Sequence, residues 1–282
     1  MRKNFAIFFI LFISTNVFAG GPWVPGPKKA YIQLGWSGIS FKGVNLNNVE
    51  TLNGKNNYDF TYQIYSEFGL GDRGLFKFIL PFKQVGSIGI AGSTPTSPIG
   101  SISGIGNITF GGKYLISDRN IKVSAGVDVQ SGAFKVDKSL GLRTGYEAVT
   151  ILPYLSIGSG FKKAYLSLDA GYGVMSNQYS SFVKINAEAG YKVTKRLYTI
   201  LTFDVRSPMN NGTFGASNSA EDKRFSSNGS YVNNQFFRGV GIKLNYELKE
   251  NKFGINASVL GAIGANNVAF APAFNGGIYL KL

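Results

Sequence analysis

Side-chain alternation with a period of two runs along almost the whole chain and limits the folds open to it. Tyr58-Asp59-Phe60-Thr61-Tyr62-Gln63-Ile64 is one such stretch, and Val183-Lys184-Ile185-Asn186-Ala187-Glu188-Ala189 is another. Each puts apolar groups on one face of an extended strand and polar groups on the other. About a dozen segments of this kind follow one another, each roughly ten residues long. A soluble sandwich would turn the apolar faces inward over a packed core. A membrane barrel turns them outward to lipid and keeps the polar faces in its lumen.

The start of the chain separates these alternatives. Arg2 and Lys3 precede the apolar run Phe5 to Ile13, and Val17-Phe18-Ala19 stands before Gly20. That is the order of a secretory signal peptide, with cleavage expected after Ala19. The run falls well short of the roughly 20 residues a spanning helix needs, and no later segment is apolar for long enough either. With no Cys, a lipoprotein anchor and a disulfide framework are both excluded. The expected organisation is a signal peptide over 1–19, a periplasmic leader or lumen plug over 20–27, and an outer-membrane barrel over 28–282. The segment 20–27 holds Trp23 and the prolines Pro22, Pro25 and Pro27.

The alternation predicts strands near 28–40, 58–70, 74–85, 104–116, 120–131, 148–158, 164–174, 182–193, 197–206, 235–248, 252–263 and 271–282. Twelve is even, as single-chain outer-membrane barrels require. The connections alternate between short turns, such as Gly71-Asp72-Arg73 and Thr194-Lys195-Arg196, and longer loops near 41–57, 86–103, 132–147, 175–181, 207–234 and 264–270. Short periplasmic turns with long outer loops are the rule for a closed antiparallel up-and-down barrel. The loop 207–234, rich in Asn, Ser and Gly, reads as a mobile outer segment. The last residues, Tyr279-Leu280-Lys281-Leu282, alternate and end apolar. They look like the C-terminal signal read by the barrel assembly machinery.

Composition narrows the function classes. The chain carries 37 Gly and 14% aromatic residues, as expected where glycine eases strand crowding and aromatics form interfacial girdles. Its net charge of +14 would suggest nucleic acid in a cytoplasmic protein, but the leader sends this one elsewhere, so no nucleic-acid partner is expected. Much of the basic charge instead lies at the turn end, where it suits a rim touching anionic headgroups. There is no His, which removes the usual proton carrier of outer-membrane barrel enzymes and the usual metal ligands. No enzyme activity, cofactor or metal is expected. The GxGxxG string Gly69-Leu70-Gly71-Asp72-Arg73-Gly74 precedes a strand rather than a helix, so it reads as a tight turn.

Polar faces turned inward make Tyr65, Glu67, Lys77, Lys83, Lys113, Lys184, Glu188 and Arg206 candidates for the lumen and a solute path. Charges of both signs occur there, which fits either cross-barrel pairing or weak charge selectivity. Twelve strands lie between a filled eight-stranded barrel and an open porin, so a narrow or partly plugged lumen is expected. Pro81 and Pro153 fall inside strands, where a missing N–H forces a gap or a bulge.

"YSEFGLGDRGLFKFILPF" (Tyr65 to Phe82), "GIGNITFGGKYLI" (Gly104 to Ile116) and the opening "GGPWVPGPKKAYIQLGWS" (Gly20 to Ser37) resemble the phenol meta-cleavage pathway transporter family of outer-membrane barrels. These barrels are distantly similar to the FadL/TodX hydrophobic-compound channels. The chain has Asn107 where that family usually has Asp, and it lacks the Asn-Pro-Ala start of FadL channels themselves. The resemblance implies a passive uptake channel for small apolar or aromatic compounds. In FadL-type channels a kinked third strand lets cargo leave sideways into the membrane. Here that would place a lateral gate at Phe78, Leu80, Pro81 and Phe82. The competing expectations are a non-conducting structural or adhesive barrel working through its surface loops, and a soluble secreted β-protein.

Overall fold

The computed structural model describes residues 20–46, 49–95, 97–217, 219–269 and 271–282; the expected signal peptide, 1–19, lies outside the described residues. The strands are β1 (Ala30–Leu46), β2 (Val49–Leu70), β3 (Gly74–Gly89), β4 (Ser101–Ile105), β5 (Thr109–Asp118), β6 (Lys122–Gln130), β7 (Val136–Asp137) and β8 (Leu142–Arg143). They continue with β9 (Thr150–Gly160), β10 (Ala164–Met175), β11 (Phe182–Lys192) and β12 (Leu197–Pro208). One helix, α1 (Ala220–Asn228), precedes β13 (Phe236–Lys249), β14 (Phe253–Asn266), β15 (Val268–Ala269) and β16 (Ala273–Lys281).

Each wall strand pairs antiparallel with the next, and β1 pairs β16 from Tyr31↔Lys281 to Ile39↔Ala273, which closes the wall. β4 and β5 share one position in it, because both pair β3. The result is a closed antiparallel barrel of twelve wall strands. Closure removes the free edges that an open sheet of this size would expose.

The faces follow the sequence period. Ile64, Phe110, Val127 and Leu244 are 41–50% exposed on the outside, while Lys113 and Asp128 are buried on the inside. An outer surface rich in such groups is stable against lipid rather than water. A slip of one residue would reverse every one of these positions.

Two expectations about the loops are corrected. Residues 41–57 are mostly a paired extension of the β1–β2 hairpin, running from Phe41↔Asn57 through a register shift to Leu46↔Val49. Beyond the membrane neither face must be apolar, so backbone pairing continues without the alternation that signals it. Residues 207–234 contain α1 and pack into the barrel mouth, burying Phe225 and Asn228. Ser219 caps α1 by accepting from Asp222 N at 3.0 Å. Gly229 ends it at φ 66°, and a Cβ there would strike Val44 at 2.3 Å. The loop 132–147 also folds inward, carrying the β7–β8 hairpin.

The buried apolar groups form small clusters. Trp23, Tyr165 and Ile200 make one; Val85, Ile102 and Leu142 another; Ala148, Met175, Tyr179 and Phe182 a third. The first is built on the N-terminal segment, and the other two involve the inward-folded loops.

Candidate functional site: lumen, wall and mouth

The polar faces of neighbouring strands meet in the lumen. Lys77 on β3 reaches Asp128 on β6 at 2.6 Å, across the intervening β5. This crossing depends on Gly111, where a Cβ would lie 2.3 Å from Asp128 Oδ1 and 2.9 Å from Lys77 Cε. Tyr65 donates its hydroxyl to Glu67 at 2.5 Å, Tyr165 donates to Glu188 at 3.0 Å, and Lys113 donates to Gly21 O at 2.6 Å. A cavity of about 350 Å³ is lined by Tyr65, Glu67, Lys77, Lys113 and Lys184, with Gly20 and Gly21 also facing it.

Two other lumen candidates lie elsewhere. Lys83 pairs with Asp59 at 3.1 Å, and Tyr231 from the long outer loop donates to the same carboxylate. Arg206 stacks its guanidinium on Phe182 at 3.7 Å and faces Tyr146 at 4.8 Å. The eight lumen candidates therefore do not form one site. Five share the cavity, Glu188 stands beside Gly20, and Lys83 and Arg206 contact the inward-folded loops.

The gate candidates bracket a break in the wall. β3 pairs β5 up to Ile79↔Thr109 and resumes with β4 at Phe82↔Ile105. Leu80 and Pro81 thus face the three residues 106–108, an irregularity of the bulge type. Gly106 N donates to Pro81 O at 2.9 Å. In an antiparallel strand the N–H and C=O of one residue point to the same side. The N–H that Pro81 lacks would have pointed at this break, so the proline costs no bond to β2. Asn107 turns away from β3: its Nδ2 donates to Ser131 O and Tyr146 O at 2.6 and 2.8 Å, and its Oδ1 accepts from Tyr146 N. Pro153 acts more mildly. The β9–β10 ladder lapses between Tyr154 and Ile151 without a change of register.

A groove of about 790 Å³ runs beside the break, lined by Trp36, Tyr62, Leu80, Phe82, Ile105 and Ile278. Pro81 and the inner-face amides Gln63, Asn256 and Asn275 line it too. Apolar outer groups and lumen-side polar groups therefore border one concavity.

Two buried cations at the mouth escaped the sequence reading. Arg143 is 2% exposed, donates to Tyr179 Oη at 2.7 Å, pairs with Glu147 at 3.2 Å and lies 3.6 Å over the Phe225 ring. Burial pushes the Tyr179 hydroxyl up to about 12, against the opposing pull of Arg143. Lys55 is fully buried and donates to Ser97 Oγ, Pro98 O and Asn228 Oδ1. Neither lies in a segment with a clear period, and their partners come from distant loops, so no local signal marked them.

Among solved structures, the chain is similar to the COG4313 outer membrane channel from Pseudomonas putida F1, with a TM-score of 0.69 at 12% identity over 95% of this chain and all of that one. It is similar to the NanC porin, with a TM-score of 0.54 at 9% identity over 89% of this chain and all of that one. The translocator domain of the autotransporter NalP from Neisseria meningitidis gives 0.50 at 10% identity over 91% and 88% of the two chains. At these identities the likeness is one of fold. No protein family and no curated protein matches the sequence.

Proposed function

We propose that this protein is a passive outer-membrane channel that admits small apolar or aromatic compounds and releases them sideways through the wall at Leu80–Phe82. The observation that carries the reading is the break opposite residues 106–108 where it meets the apolar groove. An apolar solute leaving there passes beside Lys83 from Pro81 and the inner amides to Leu80, Phe82 and Ile105, without entering the charged cavity at Lys77 and Asp128. The N-terminal segment fills part of the lumen, which makes a straight route to the periplasm narrow and a sideways route more useful. The likeness to an outer membrane channel at a TM-score of 0.69 supports the channel reading. Outer-membrane lipid would cover the belt, and the β16 terminus would be read by the assembly machinery.

The inward-folded loops favour a second reading, a non-conducting barrel whose surface loops carry the function. Lys55 and Arg143 tie those loops down with buried polar contacts, as a permanent cover would require.

Uptake by whole cells and planar-bilayer conductance separate the two. A channel conducts and speeds entry of aromatic compounds. Pro81→Val restores an N–H facing 106–108, lets the ladder tighten and should slow aromatic uptake while leaving small hydrophilic solutes unaffected. Unchanged aromatic uptake in that variant would reduce the proline to a curvature element. Repeated silence in bilayers, with no uptake above background, would favour the structural barrel.

A further inference from the structure

The first described residues lie inside the barrel. Pro22 and Pro25 are fully buried, and Trp23 meets Tyr165 edge to face at 5.4 Å while packing on Ile200. Lys113 holds Gly21 by its carbonyl at 2.6 Å. Gly21 has φ +68°, and a Cβ there would lie 2.4 Å from the Trp23 ring and 2.8 Å from Ser167. No other residue fits that place without moving its neighbours.

This seating carries the α-carbon of Gly20 to an acidic position. A Cβ at Gly20 would be 3.8 and 3.9 Å from the two carboxylate oxygens of Glu188. Gly20 also lines the cavity that holds Asp169, whose Oδ1 is buried without a hydrogen-bond partner. A carboxylate oxygen withdrawn from water and left unpaired is costly. Tyr165 links the two observations, since its ring packs on Trp23 and its hydroxyl donates to Glu188. A peptide nitrogen at Gly20 brings no charge to this place; an ammonium would.

We infer that Glu188, with Asp169 beside it, is a receptor for the α-ammonium of Gly20, and that this ion pair locks 20–27 in the lumen as a plug. The inference rests on the reading of 1–19 as a cleaved leader. Hydrolysis of the Ala19–Gly20 bond consumes one water, leaves a carboxylate on Ala19 and frees the Gly20 amine. The amine takes a proton near neutral pH, since α-amino groups titrate at about 8. Maturation would thus create the charge that seats the plug, after the chain has left the cytoplasm.

The test reads the amine directly. Purified protein is first weighed intact, which identifies the mature start. It is then treated at neutral pH with an amine-reactive ester, and acylation of the N-terminal peptide is followed over time by mass spectrometry. In the parent protein the ion pair should protect the α-amine. Glu188→Gln should raise its acylation rate about tenfold or more, the loss expected for one charge-assisted hydrogen bond. Inserting two serines between Ala19 and Gly20 leaves every lumen side chain in place and moves the amine out of reach, so it should be acylated equally fast. A mature start elsewhere overturns the leader reading and the ion pair together. A start at Gly20 with equal rates in the parent and either variant overturns the ion pair alone. Neither readout needs the barrel to conduct, so the channel reading is judged separately.

Discussion

Lys55→Ala should release the mouth without loosening the barrel. The Lys55 ammonium donates to Asn228 Oδ1 at 2.6 Å, Ser97 Oγ at 2.5 Å and Pro98 O at 3.2 Å. Asn228 closes α1, and its Nδ2 donates onward to Leu140 O and Gly141 O at 2.9 and 2.7 Å. One ammonium therefore joins the outer end of β2, the β3–β4 connection and α1, with the 132–147 loop one bond further on. Hydrogen bonds from a charged donor contribute roughly 1.5–3 kcal/mol each. Ser97 keeps its bond to Ser227 when Lys55 is removed, so the main loss is the Asn228 contact with a smaller share from Ser97. That sums to about 3–4 kcal/mol. Relief from burying an ammonium offsets part of it, leaving roughly 2–3 kcal/mol against docking of α1. Opening of α1 should become about a hundredfold more frequent. Hydrogen exchange on a peptide covering 220–228 should quicken accordingly, while amides of β10 and β11 hold their rates. Unchanged exchange in α1 would show that the ammonium does not hold the lid. Equal acceleration in every strand would show that it supports the barrel instead.

Other perturbations test the faces, the seam and the cap. Val127→Arg puts a cation on the lipid face and should cost about 2–4 kcal/mol if the site lies near mid-membrane; reversible unfolding in lipid vesicles measures it, and a neutral result would mean the register is wrong. Deleting Leu280 to Leu282 removes the Leu282–Ala30 backbone bonds at the β1–β16 seam and the Lys281–Glu247 pair that ties β16 to β13 across β14; the truncated chain should fail to reach membrane fractions, whereas normal levels would show the terminus dispensable. Hydrogen bonds from Ser217 and Ser219 hold the Asp222 carboxyl below the usual aspartate range. A depressed carboxyl adds stability above its unfolded pKa and loses it as pH falls through the folded one. Protection at the start of α1 should therefore drop first under acid, and an acid-insensitive cap would refute the assignment.

The period of two determined the inner and outer faces of the strands; the even strand count and the alternation of short turns with long loops, read beside the leader, then pointed to a closed barrel rather than a sandwich. These are local matters: a strand's faces depend on every second residue, and a short turn returns the chain to its neighbour. The order of Lys77, Lys83, Lys113 and Glu188 on inner faces was legible for that reason. Proline chemistry marked Pro81, but the bulge at 106–108 that meets it lies on another strand and became visible only in the pairing. The same limit hid Lys55 and Arg143. Lys55 meets Asn228 across 173 positions of sequence, and a fully buried ammonium looks like a surface lysine until its acceptors arrive. Outside the membrane neither face of a hairpin must be apolar, so the extension of β1 and β2 and the folding of 207–234 into the mouth left no periodic trace. The apolar belt writes itself into the sequence because solvent acts on each residue separately, whereas the seating of 20–27, the wall break and the docking of α1 depend on which distant groups the closed barrel brings together.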